Sequence, residues 1–557
     1  MLAGLLLMAT TAAHAQMDNV VEVENSYQPV VKDANKINLL PEVETPTIKH
    51  YDVNYAETLF PTGQYVFQPV WAAASDATAL GDPRGFVTLA GGNHGNLNAR
   101  AAYGLRFTPD DLLDIDLSTS GFNGKVTPPG YESSYKWKSR FYTTKGSLNY
   151  EHKLNQWSSL LVGTRLESQV FNYAPALWFP TPADPTNKQH NWLADIDLRL
   201  TPYRFGQFSL GTNIGFNLFN QKYKIYPQEE QLKENQLYGG LDLGLHFSEE
   251  QAVGLDLAAR HYHYGMEPLD DYNSFTLTPH YDLTTQRVTL RTGAQFYFTT
   301  GFEKKFRIAP DVSLRFHAEP TFDIFAEATG GEVANDFRHF SSVTPYWEPV
   351  YEPVSNAGGG LEVCQLAHEF DQLRSRVGLE WKLAEGLQAI IYGGYDIQKN
   401  RVELNANNQL YTVDGKCLHG NIDVDFRHKN LLNILVQSQL NKWTTDDEDD
   451  LYVAKAGWHP ILDLRSEATV QIVEGLHFGL DYTLQTFSRK DGLAYRRPTT
   501  SDLGASLTWR LPVQWLGQHS TTSVFVHGDN LLNKRYDHYC NYRALGTNFL
   551  AGVALTF

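Results

Sequence analysis

The sequence predicts an all-β fold: a transmembrane, antiparallel, up-and-down β-barrel of about 22 strands, with an extended N-terminal segment before it. Three observations lead there. The closing run sets Phe549, Ala551, Val553, Leu555 and Phe557 on one face of a period-two repeat, with Leu550, Gly552, Ala554 and Thr556 on the other. A large apolar face beside a small one suits a strand with lipid outside and a lumen inside, and lipid tolerates no open sheet edge. Connections between strands alternate short and long, as in a barrel with tight periplasmic turns and longer outer loops. Composition agrees: 13% of residues are aromatic, with 30 Tyr and 30 Phe, yet mean hydropathy is negative. After residue 15 no apolar run is long enough for a membrane helix.

The elements follow in order. Residues 1–15, MLAGLLLMATTAAHA, carry the apolar core and Ala13-His14-Ala15 cleavage pattern of a secretory signal. Residues 16–83 have weak periodicity and many prolines, among them Pro29, Pro41, Pro46, Pro61 and Pro69, and read as an extended segment that lies in the periplasm or lumen. Residues 84–557 form the barrel. Leu113, Ile115 and Leu117 alternate with Asp114, Asp116 and Ser118; Trp192, Ala194, Ile196 and Leu198 alternate with Asp195, Asp197 and Arg199. Ile422, Val424 and Phe426 alternate with Asp423, Asp425 and Arg427. Aspartate recurring on the polar face fits a hydrated lumen. Short turns such as Thr108–Asp111, Ala384–Gly386 and Val473–Gly475 lie between longer loops such as Phe122–Lys136, Gly331–Glu369, Asn400–Lys416 and Asn533–Ala544. A first up-strand near Phe86–Ala90, ten turn-linked pairs and a last strand returning at Phe557 give about 22, an even number.

The ending also resembles a known family. Asn530-Leu531-Leu532-Asn533-Lys534-Arg535-Tyr536, then Tyr542-Arg543-Ala544-Leu545-Gly546 and the aromatic-terminated strand, are similar to the last hairpin of TonB-dependent receptor barrels. The resemblance implies a 22-strand barrel in the outer membrane of a Gram-negative bacterium. It also implies that Gly552, Leu555 and Phe557 act as an assembly signal read by the insertion machinery. The chain departs from the family between residues 16 and 83, which lack the glycine-rich strand–helix pattern of its plug domain. The acidic-apolar run Asp18–Val23 is too common a pattern to stand as the family's energy-coupling box.

Composition narrows the function. The net charge of −17 argues against nucleic acid as a partner. Cys364, Cys417 and Cys540 are an odd number without a CxxC spacing, so a Cys364–Cys417 disulfide leaves one thiol over and no metal site is read there. His261 and His263 share a strand face and are read as lumenal polar residues, with Tyr262 and Tyr264 in an aromatic belt. The run Asp446–Asp450 is read as a solvated outer loop, since it lacks the spacing of a calcium loop. No ordered Ser, His and Asp set or acid pair points to catalysis, and no cofactor is expected. The long loop Gly331–Glu369 stands out, with Phe337, Phe340, Tyr346, Trp347 and Tyr351 among prolines. Loops of this length are commonly functional, and its aromatics suit a constriction or a partner contact.

A ring of 22 strands is wide enough that something must fill it. The expectation is therefore a transport or pore barrel occluded by its loops, its N-terminal segment or a partner. The alternative is a non-transporting subunit that scaffolds a larger outer-membrane complex. Expected partners are outer-membrane lipid and lipopolysaccharide, the assembly machinery, and other outer-membrane or periplasmic proteins.

Overall fold

The computed structural model describes residues 85–557, apart from 130–132, 156–157, 175–187, 224–230, 268, 348–350, 354–360, 364, 405–409, 430, 446–458, 489–496, 514–519 and 540–541. The expected signal, the segment 16–83, the acidic run 446–450 and residues Cys364 and Cys540 lie outside the described residues.

Twenty-two antiparallel strands form one sheet closed on itself. Each strand pairs with its neighbour in sequence, and the ring closes where Gly85–Gly92 pairs with Asn548–Thr556, in register from Phe86↔Thr556 to Gly92↔Leu550. At this seam the backbones of Gly85 and Phe557 exchange two hydrogen bonds of 2.9 Å, and the Phe557 ring stacks on Tyr103 at 6.0 Å. Gly92 is held against the last strand so closely that an added Cβ would lie 1.8 Å from the Phe549 carbonyl oxygen.

Alternation sets the two faces. Leu117, Leu166, Ile196, Ile214, Leu237 and Val377 point outward and are each at least half exposed; they belong to the apolar belt that meets lipid. Lumenal positions carry charge in pairs. Arg291 bridges Asp256 and Asp311, each at 2.9 Å, Arg315 meets Glu380 at 2.7 Å, and Arg376 meets Glu327. Among the described residues no helix is long and apolar enough to cross a membrane; the crossing is made by strands.

Many strands exceed the sequence expectation at their outer ends. The strand Asp111–Val126 absorbs the start of the expected loop Phe122–Lys136, and Leu387–Leu404 with Leu410–His428 leave little of the expected loop Asn400–Lys416. The cause is geometric. A 16-residue strand tilted by about 45° rises roughly 38 Å, whereas the apolar band of such barrels is about 25 Å tall. The surplus stands above the lipid. There the binary pattern inverts, because the outside meets water and the inside meets other protein.

His261 and His263 show the inversion and correct the sequence reading. Their rings point outward, where His261 Nδ1 lies 2.8 Å from Asn273 Oδ1 and His263 Nδ1 lies 2.9 Å from Asp271 Oδ1. Tyr262 and Tyr264 are the lumenal pair, and both are buried. A pattern that means lipid outside at mid-strand means protein inside at the strand's outer end.

Candidate functional site: an aromatic cluster in the outer lumen

The long connection between strands Phe322–Val333 and Glu369–Ala384 turns into the barrel. Its inner part is a short helix, α1 (Phe337–Val343), begun by Asp336, whose carboxylate accepts the His339 N–H at 2.6 Å. Aspartate at a helix N-cap satisfies a backbone donor that has no partner within the helix. This helix was not read from the sequence, although Asp336 immediately before Phe337, with Phe340 three residues on, was its available signal.

Polar contacts fix α1 to the wall. The Phe337 N–H donates to Glu234 Oε2 at 2.7 Å. Arg338 pairs with Asp195 at 2.6 Å and donates to the Leu218 carbonyl at 3.3 Å. Asp195 neighbours the lipid-facing Ile196 and so projects to the opposite, lumenal side. Beside the helix, the Asn335 N–H donates to His368 Nδ1 at 2.9 Å, while the Asn400 amide donates to the His368 carbonyl at 3.1 Å. The His368 ring lies 3.8 Å from the Tyr272 ring, centre to centre. Burial pushes the His368 imidazole down to about 3, with Arg307 adding to the effect.

Aromatic packing does the rest. Phe337, Phe340, Tyr346 and Trp347 are each 5% exposed or less. Phe337 meets Phe219 at 5.8 Å and Tyr264 at 5.4 Å. Trp347 packs on Phe337 and Phe340 at 5.4 and 5.3 Å, and its indole N–H donates to Ser341 Oγ at 3.0 Å. Tyr346 reaches a different part of the wall. It meets Phe141 at 6.0 Å and Phe171 at 5.3 Å and stacks on Tyr542 at 3.6 Å with the rings 13° apart. Edge-to-face and offset pairs of this kind are the favoured aromatic geometries.

Four of the five aromatic residues singled out from the loop thus join one buried cluster. The fifth, Tyr351, sits in a short strand, Tyr351–Pro353, paired with Leu361–Val363. The assembly positions lie elsewhere, at the seam: Gly552 is seated against Ala90 and Phe525, and Leu555 pairs in register with Val87. The wall residues that receive this segment, including Glu234, Asp195, Tyr264 and Tyr542, were not read from the sequence as its partners, because alternation cannot tell at what height a lumenal residue stands. Cys417 is buried and carries a free thiol.

A closed 22-strand ring with an apolar exterior and a charged lumen defines an integral outer-membrane β-barrel. Its fold is that of TonB-dependent receptor barrels, as comparison with solved structures shows. The FrpB iron transporter from Neisseria meningitidis superposes with a TM-score of 0.65 at 9% identity, over 86% of this chain and 82% of that one. The siderophore receptor PirA from Acinetobacter baumannii gives 0.62 at 10% identity, over 85% and 80%. A mutant of the ferric enterobactin receptor from Pseudomonas aeruginosa gives 0.60 at 12%, over 85% and 80%. No protein-family model and no curated sequence matches the chain.

Proposed function

We propose that the protein is an outer-membrane transport barrel whose outer lumen is closed by its own segment 334–347. One observation carries this reading. The segment leaves the wall at Val333 and is anchored on strands well removed from it around the ring, Arg338 to Asp195 and Tyr346 to Phe141 and Tyr542. A loop held at its root and at these stations lies across the outer lumen. Solved structures of this fold include an iron transporter and siderophore receptors, which supports transport as the role of the barrel.

The test is single-channel recording on the full chain in planar bilayers, beside a variant in which residues 335–347 are replaced by a short Gly-Ser linker. The intact protein is expected to be closed or to flicker at low conductance. The variant is expected to show large, steady openings. Equal conductance from both proteins would overturn the proposal.

A further inference from the structure

We infer that the closure carries a ligand site of its own, a pocket that takes a single neutral, polyhydroxylated six-membered ring such as a hexose of an extracellular glycan. This rests on the reading of segment 334–347 as a closure, because the pocket is built against it.

A cavity of about 160 Å³ lies between Tyr346 and the final loop. Its size suits one small ring, since engineered cavities of about 150 Å³ hold a benzene. Aromatic side chains line it: Phe122, Phe141, Tyr346, Tyr539 and Tyr542. Rings of this kind offer flat apolar faces to the C–H faces of a sugar. Polar groups line it as well, and they fall into two sets.

The first set is already engaged. Asp502 accepts the Asn530 N–H at 2.8 Å and the Tyr536 hydroxyl. Asp529 bonds His527 Nε2 at 2.6 Å, and Arg543 donates to Asp537 at 3.1 Å. The second set is free. The Ser120 and Ser139 hydroxyls line the cavity with no hydrogen-bond partner among the described residues.

These facts choose between ligand classes. An amine or other organic cation would need a carboxylate free to face it, yet both aspartates already accept hydrogen bonds and the Arg543 guanidinium lies in the same wall. An anion would meet the two carboxylates. A neutral ring bearing hydroxyls meets none of these penalties; it gives the serines donors and acceptors, and its apolar faces cover the aromatics. Two of the tyrosines that line the pocket, Tyr346 and Tyr542, are the pair stacked at 3.6 Å. Occupancy therefore bears directly on one of the anchors of the closure.

The experiment is saturation-transfer NMR on the full chain in zwitterionic, sugar-free micelles, with cellobiose, maltose and choline as probes. Two variants accompany the wild type. Ser139→Leu fills the cavity, and Ser120→Ala with Ser139→Ala removes both free hydroxyls. Heat-modifiable migration confirms that each barrel is folded. Saturation of at least one disaccharide by the wild type, weakened roughly tenfold or more by either variant, is the expected result. Saturation of choline alone, of no probe, or of sugar equally in all three proteins overturns the inference. Channel recordings of the 335–347 replacement are unaffected by these outcomes, so a failed pocket leaves the closure standing and a failed closure is seen separately.

Discussion

Replacing Trp347 with Ala should release the closure while leaving the barrel intact. The indole is 2% exposed, touches Phe337 and Phe340, and spends its one N–H on Ser341. Truncating a buried Trp or Phe to Ala costs about 3–5 kcal/mol. None of that cost falls on the strand ladders, which are held by backbone hydrogen bonds and cross-strand packing. Each 1.4 kcal/mol is a factor of ten, so the open population of segment 335–347 should rise roughly a hundredfold to several thousandfold, up to the limit set by its own docking energy. Hydrogen exchange of the full chain in micelles reads this directly. The Phe340 and Thr344 amides bond Asp336 and Phe340 carbonyls at 3.0 Å, and their exchange should accelerate by that factor. Amides of Leu432–Thr445, a strand with no residue in the buried cluster, serve as the control. A rise below threefold at Phe340 and Thr344 would refute the claim that aromatic packing holds the closure. Equal acceleration in the control strand would refute the claim that closure and barrel are separable units.

Three further outcomes follow from the same contacts. His368 is held neutral, near 3, against about 6.5 when released, so docking has its full strength above pH 6.5 and weakens as pH falls toward 3; between pH 7.5 and 5 the loss is about 2 kcal/mol, or roughly thirtyfold faster opening by hydrogen exchange after correction for intrinsic rates, and a flat profile would count against it. A Cβ at Gly552 would lie 2.5 Å from the Ala90 Cβ and 2.6 Å from the Leu89 carbonyl oxygen, so Gly552→Ala should strain the seam by about 1–3 kcal/mol and lower the temperature at which heat-modifiable migration is lost; an unchanged transition would show that the seam yields. Deleting Phe557 removes both backbone bonds to Gly85 and the Tyr103 contact, and should reduce folded barrel in outer-membrane fractions and leave protease-sensitive chain in the periplasm; normal levels of folded barrel would show that neither the seam bonds nor an aromatic terminus is needed for assembly.

Strand number, topology and closure were legible in the sequence because each rests on a local signal. Alternation marks every strand where lipid and water lie on opposite sides, as at Trp192–Leu198, and turn length orders the strands up and down. The aromatic loop was legible for a similar reason, since Phe337, Phe340, Tyr346 and Trp347 are too apolar for a solvated connection. What alternation could not supply was height. At mid-strand, Ile196 and Asp195 divide as lipid and lumen. Nearer the outer end, Tyr262 and His261 carry the same apolar–polar contrast with the faces exchanged, because the lumen there is filled by α1 and the exterior is wet. The reversal depends on a contact between residues far apart in sequence, such as Tyr264 with Phe337, and no local pattern encodes such a contact. It also has a positive reading. Lumenal aromatics clustered at the outer ends of strands, at Phe141, Phe171, Phe219, Tyr264 and Tyr272, without a cation over them among the described residues, need an apolar partner in the channel. Together with an aromatic loop of sufficient length, such an arc is the sequence mark of a loop that packs into the barrel, the contact on which the proposed closure rests.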